Sequence, residues 1–324
     1  MVRRGWLIIV PVLLIGCLLQ GCLYQADLNS ANNRKTIAFI TKNRGGDYWD
    51  TVKIGAETAA REFGVNIHFS APDNQEDIQR QIQLVNYALE DGVDALVLAP
   101  SDDQLLVEVT EKAYAMKIPV IIIDSQVNTD KFHCFIATDN VELGEKVGNE
   151  LVKIAGPNCH AALLSFRKGA GNALQREEGF YNVVSKHRGI IIDVKEYCLL
   201  DTNYAQRLTR KILADYPRIN AVVAFNTELS VGAARGIENM GKAGEVKLVA
   251  LDNAPEAIEF LEDGIIQSMI VQNPFSMGYL GVKYAVDAME GKKTPRYVDT
   301  GSKAINKNNM YFMENQKLLF PFVK

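Results

Sequence analysis

Polar residues gather at a few places where the chain leaves a short apolar run, and their types are those that grip neighbouring hydroxyl groups. Lys42 through Trp49, Asp124 with Ser125, Asp139 with Asn140, Phe166 through Arg176, Asn226, Asp252 with Asn253, and Gln272 with Asn273 make up this set. Carboxylates and amides pair with vicinal hydroxyls, a guanidinium fork bridges two oxygens, and an aromatic face covers the apolar side of a ring, so the set suits a polyol. The layouts of covalent or phosphoryl chemistry are missing. There is no G-x-S-x-G elbow and no G-x-x-x-x-G-K-[ST] loop, and after Gly169-Ala170-Gly171 the third glycine of a dinucleotide fingerprint is replaced by Leu174. His68, His133, His160 and His187 are scattered without H-E-x-x-H spacing, so neither a metal nor a cofactor is expected. A binder rather than an enzyme is the leading expectation; Asp124 with Asp252 as a glycosidase carboxylate pair is the enzyme alternative, and their separation would decide it.

The elements that must position these residues are short β-branched runs alternating with amphipathic helices. Thr36 to Thr41 reads as a strand; Trp49, Val52, Ala56, Ala60 and Phe63 then recur at helical spacing, and Gly64 stops that helix. Strands at 66–69, 95–98 and 120–123 follow, separated by helices through Ile78, Ile82, Val85 and Leu89 and through Leu106, Val109 and Ala113. The rhythm restarts after Asp139, with strands at 161–165, 190–194, 221–224 and 247–250, and a last strand-helix-strand over 267–300 that fits either half. Uniformly apolar strands each followed by a helix indicate parallel sheets covered on both faces, whose ligands bind beyond the carboxyl ends of the strands. With 324 residues, two such α/β domains are expected.

The chain starts as an export signal. Arg3 and Arg4 precede an apolar run from Trp6 to Leu19, and Leu19-Gln20-Gly21-Cys22 resembles a bacterial lipobox with Cys22 as the lipidated residue. Leu14-Ile15-Gly16-Cys17 is the competing lipobox; an uncleaved membrane anchor is the other alternative, although the run is short for a full span. Residues 1–21 are thus expected to be a signal peptide and 22–35 a tether to the outer face of the cytoplasmic membrane. A net charge of -4 and the absence of a Lys/Arg block in the body give no pull toward nucleic acid. Cys134, Cys159 and Cys198, odd in number and without ligand spacing, read as core residues.

From about residue 35 onward the chain resembles the type I periplasmic binding proteins of the ribose/galactose group, receptors of sugar importers whose fold is shared with the effector domains of lactose-repressor-like regulators. The resemblance rests on the order of several motifs: Asp47-Tyr48-Trp49 ahead of Val52-Lys53-Ile54-Gly55-Ala56, Ile118-Pro119-Val120-Ile121-Ile122-Ile123-Asp124-Ser125, Thr138-Asp139-Asn140, Gln175-Arg176-Glu177-Glu178-Gly179-Phe180, Ala224-Phe225-Asn226 and Leu251-Asp252-Asn253. It implies two Rossmann-like doubly wound domains joined by three crossovers, with Gln272 at or near the last. One lobe takes 36–138 plus 273–300 and the other 139–272 plus 301–324. Tyr48 and Trp49 match the aromatics that sandwich the sugar, on a loop ahead of the helix, and Asp124, Arg176, Asn226, Asp252 and Gln272 match the polar ligands. Three positions depart from the pattern: Gly46 stands for a binding Asn, Ser125 for a binding Arg, and Leu200 for a third aromatic. Lys42 matches a ligand-contacting Lys of similar autoinducer receptors.

The implied function is binding a monosaccharide or related polyol in the interdomain cleft, with Lys42, Asp47, Tyr48, Trp49, Asp124, Ser125, Arg176, Asn226, Asp252 and Gln272 as contacts. A monomer delivering to an ABC permease is expected; a co-receptor read by a membrane histidine kinase or chemoreceptor is the alternative. The export signal stands where a helix-turn-helix would be needed for a regulator. Each contact has a plainer reading. Tyr48 and Trp49 could be a hydrophobic staple, Asp124 and Asp252 helix N-caps, and Arg176 a surface partner of Glu177 or Glu178. Asn226 and Gln272 could merely satisfy loop backbone, Lys42 could be a surface charge, and Asp139 with Asn140 favours a cap.

Overall fold

The computed structural model describes residues 34–198 and 200–320. The signal segment, Cys17, Cys22 and most of the tether lie outside the described residues. Two six-stranded sheets account for the strands, in the orders β11-β5-β4-β3-β1-β2 and β12-β10-β9-β8-β6-β7. The first contains β1 (Thr36–Ile40), β2 (Asn66–Ser70), β3 (Ala95–Leu98), β4 (Val120–Ile123), β5 (Cys134–Ala137) and β11 (Tyr297–Asp299). The second contains β6 (Cys159–Ser165), β7 (Ile190–Tyr197), β8 (Ala221–Ala224), β9 (Lys247–Leu251), β10 (Ser268–Gln272) and β12 (Ser302–Ile305). All pairings are parallel except β10 with β12.

The helices of the first half are α1 (Asp47–Phe63), α2 (Ile78–Glu90) and α3 (Val107–Ala115). Those of the second are α4 (Asn140–Ala155), α5 (Gly171–Val184), α6 (Thr202–Asp215), α7 (Thr227–Asn239) and α8 (Pro255–Glu262), followed by α9 (Pro274–Met289) and α10 (Met313–Leu319). Each sheet has its own apolar core. Ile37, Phe39, Val97 and Ile121 pack with α1 and α9 on one face of the first sheet, while Ile40, Leu96 and Ile122 pack with α2 and α3 on the other. A separate cluster around Leu163, Val223, Val249 and Ile270 fills the second. Every residue of β3, β4 and β8 is buried, which is why these strands read as unbroken apolar runs.

The 267–300 segment divides between the sheets: β10 lies in the second, whereas α9 and β11 belong with the first. The main chain passes between them after β5, after β10 and between β11 and β12. Gln272 therefore precedes the second passage, not the last. β5 was not anticipated, because Cys134-Phe135-Ile136-Ala137 is too short to show a period beside the turn-rich stretch before it. The short β12 and α10 were also missed.

Two close helix crossings fix the elements that carry the site. A Cβ at Gly55 of α1 would lie 2.1 Å from the Phe275 carbonyl oxygen of α9, and one at Gly144 of α4 would lie 2.1 Å from that of Arg176 on α5. Only glycine permits these approaches. Gly64 caps α1 in the left-handed conformation, with φ 67°. Cys134, Cys159 and Cys198 are free and buried, and burial pushes their thiols up to about 12, about 11 and about 12.

Candidate functional site

The carboxyl ends of the two sheets face one another across a cleft of about 830 Å³, within the range of small-ligand sites. Lys42, Asp47, Tyr48, Trp49, Asp124 and Ser125 line it from the first sheet's side, and Arg176, Asn226, Asp252 and Gln272 from the second's. The ten positions singled out from the sequence thus come together in one place.

Asp124 and Asp252 hold matching stations. Each follows a strand, β4 or β9, with φ of 65° and 66° in the left-handed region. Each backbone N–H donates to the neighbouring strand, Asp124 to the Ile136 carbonyl and Asp252 to that of Ile270, both at 2.9 Å. Aspartate tolerates this strain better than most residues, and such strain concentrates at functional sites. Neither acts as the cap considered above: α8 is preceded by Ala254 without a side-chain cap, and Asp252 turns inward instead.

On the first wall the polar groups satisfy one another. Lys42 Nζ pairs with Asp124 Oδ2 at 2.5 Å and also donates to Ser125 Oγ, while Tyr48 Oη donates to Asp124 Oδ1 at 3.0 Å. Lys42 is buried, so the surface-charge reading fails. Burial works to raise the Asp124 pKa, but the Lys42 charge and hydrogen bond, with that from Tyr48, hold it below the ordinary value. Burial, and then the adjacent carboxylates, push the Tyr48 phenol well up, so it stays a donor. Tyr48 and Trp49 meet edge to face, centroids 5.2 Å apart. They lie in the first turn of α1 rather than on a loop ahead of it, half-buried against the first core. Asp47, which opens α1, is exposed, and burial followed by Asp50 raises its pKa.

The second wall is less self-contained. Arg176 donates from Nε to Asn140 Oδ1 and from Nη1 to the Phe225 carbonyl, both at 2.8 Å, over the Phe166 ring at 5.4 Å. Its partners are not Glu177 or Glu178, and Nη2 has no protein acceptor among the described residues. Gln272 Nε2 donates to Asp252 Oδ1 at 2.9 Å, the only side-chain donor to that carboxylate among the described residues. Burial dominates at Asp252 and raises its pKa despite the Arg176 charge. Asn226 lines the cleft, but its Oδ1 caps α7 by accepting from the Leu229 N–H at 3.0 Å and its Nδ2 donates to Glu228 Oε2. The plainer reading, an amide serving the loop, accounts for its bonds.

Three features escaped the sequence reading. Asn140 orients Arg176 while its neighbour Asp139 caps α4 by accepting from the Val141 and Glu142 N–H groups. Glu228 lines the cleft with a pKa raised by burial, and Arg235 pairs with Glu256 through two bonds of 2.5 and 2.6 Å at the margin. Glu228 and Arg235 sit inside a helix pattern, where nothing local separates a cleft residue from a solvated one. At Gly46, φ is 100° and nothing stands within 4 Å of a built Cβ, so the backbone rather than space disfavours an asparagine there. Among the described residues no cluster of His, Cys, Asp and Glu is arranged to hold a metal.

A model of the periplasmic binding protein domain matches residues 37–293. The chain belongs to this family. It is 26% identical over 292 residues to a ribose import binding protein of Bacillus subtilis, covering 90% of this chain and 94% of that one. It is 26% identical to the D-allose-binding periplasmic protein of Escherichia coli, covering 79% and 85%. A solute-binding protein of an ABC transporter from Agrobacterium vitis, solved with bound D-fucose, superposes with TM-score 0.84 at 30% identity, covering 88% of this chain and 99% of its own. These similarities bear out the type I fold of two parallel α/β sheets and the family resemblance. Membership also implies an extracytoplasmic location; among the described residues no helix is long and apolar enough to cross a membrane.

Proposed function

We propose that this protein is an extracytoplasmic receptor that closes its two lobes around a monosaccharide or related polyol and delivers it to an ABC importer. The observation that carries the reading is the pairing of Asp124 and Asp252 on opposite walls, with Lys42, Arg176 and Gln272 beside them and the Trp49 indole at one edge. A ligand with hydroxyls on several carbons can bond both walls at once, so its binding favours the closed form. The relatives named for ribose and allose, and the neighbour solved with D-fucose, support a sugar cargo. The chemistry of the site is that of holding rather than reacting. Asp124 is committed to Lys42 and Tyr48, so it is not free to work with Asp252 as an acid and base pair.

The moving units in this reading are residues 36–138 plus 273–300 and residues 139–272 plus 301–324, with the three passages between sheets as hinges. Cys22 carries the lipid, and the receptor works as a monomer. A thermal-shift screen across pentoses, hexoses and polyols tests the function, because a ligand that binds only the folded form raises its melting temperature. A rise with at least one sugar is expected, and indifference to all of them would remove the reading. Mass spectrometry of the mature N-terminus should find acyl chains on Cys22; finding them on Cys17 instead would move the anchor.

A further inference from the structure

Among the described residues, one side chain joins the two lobes by hydrogen bonds away from the passages. Arg167 follows β6 in the second lobe; its Nη1 donates to the Ser101 carbonyl at 2.9 Å and its Nη2 to Asp102 Oδ2 at 3.4 Å, both beyond β3 of the first. The receiving loop is fixed. The fully buried Gln81 donates from Nε2 to the Thr41 and Ala99 carbonyls at 3.0 and 2.8 Å and accepts from the Ser101 N–H at 2.9 Å. Asp102 Oδ1 in turn accepts from the Gln104 and Leu105 N–H groups. At the other end, the residue before Arg167 is Phe166, whose ring lies against the Arg176 guanidinium. The dipeptide thus touches a cleft-lining cation on one side and the opposite lobe on the other.

We infer that Arg167 is a closing clasp, a residue in the wall of the cleft that holds the lobes together over a ligand gripped by Arg176. The inference rests on the proposal that the lobes close around a sugar. Arg167 and Asp102 remain partly exposed, so their pairing gives the ligand-free protein only a modest bias toward the closed form, which a bound ligand completes. A receptor whose binding-competent form is only partly populated loses apparent affinity in proportion, so weakening the clasp raises the apparent Kd.

Arg167→Ala and Asp102→Asn, compared with the wild type, test this in two ways. Small-angle scattering of the ligand-free proteins should give a larger radius of gyration for both variants, with unchanged melting temperature. Stopped-flow titration with D-ribose, D-allose and D-fucose should show dissociation about tenfold faster with little change in association, and Arg167→Lys should fall between. Scattering and dissociation rates of Arg167→Ala identical to the wild type would overturn the clasp, as would a larger effect of Asp102→Asn, which leaves the Ser101 bond intact. Should the wild type bind no sugar or polyol at all, the receptor reading is what fails, and the ligand-free scattering still decides the clasp.

Discussion

Asp124 and Asp252 occupy equivalent places on equivalent sheets, yet their surroundings treat them differently. Asp124 is met by a lysine, a serine and a tyrosine from its own lobe, and its charge is compensated before any ligand arrives. Asp252 has one amide donor and a guanidinium that neutralises it incompletely, so burial prevails. The first wall is a preorganised surface, while the second retains unspent hydrogen-bonding capacity. Ligand affinity should therefore depend most on the second wall and folding stability on the first. Stability given up at a binding site is a familiar exchange.

The largest effect is expected at Asp124. Asp124→Ala leaves Lys42 buried without its counter-charge, which should cost about 3–5 kcal/mol of unfolding free energy in a denaturant titration. A loss no greater than that of Asp252→Ala would break the comparison. Next come Arg176→Ala and Trp49→Ala, expected to weaken sugar binding by about 1–3 kcal/mol with the fold intact and more at Arg176 than at Trp49, as calorimetry would read. If both variants keep wild-type affinity, the cleft residues are misassigned. Asn140→Ala removes the acceptor that orients Arg176 and should weaken binding by about 1 kcal/mol, less than loss of the guanidinium itself.

The smallest effect concerns pH, where the two carboxylates act with opposite sign. The folded pKa of Asp252 is raised, so the unfolded chain releases that proton first and stability falls as pH climbs from the unfolded aspartate value to the raised one. For Asp124 the folded pKa is lowered; its contribution is present above the unfolded value and is lost as pH drops through the lowered one. Melting curves between pH 3 and 7 should show Asp252→Asn removing the first dependence and Asp124→Asn the second. Interchanged behaviour would reverse the account of the walls.

Much of the fold was legible because buried parallel strands must be apolar throughout. Residues 95–98, 120–123 and 221–224 were readable to the residue for that reason. The rule that ligands sit beyond strand ends then located the polar set without knowledge of how the chain closes on itself. Legibility failed where a contact spans the lobes or a helix interior. Arg167 reaches across the cleft to a residue 65 positions away, and nothing beside it in the chain announces that partner. Asn140 next to the capping Asp139 looked like part of the same cap, and only the path of α5 over Gly144 brings Arg176 to it. Asn226 shows the converse, since a residue type suited to a sugar is taken up by its own helix.

The most direct test is calorimetric titration of the wild type, Asp252→Asn and Asp124→Asn with the sugar that raises the melting temperature most. The account predicts one molecule bound per wild-type chain, no measurable heat for an Asp252→Asn protein that melts at or above the wild-type temperature, and lowered stability in Asp124→Asn. A wild type that takes up no carbohydrate, or an Asp252→Asn protein that binds as tightly as the wild type, would contradict it.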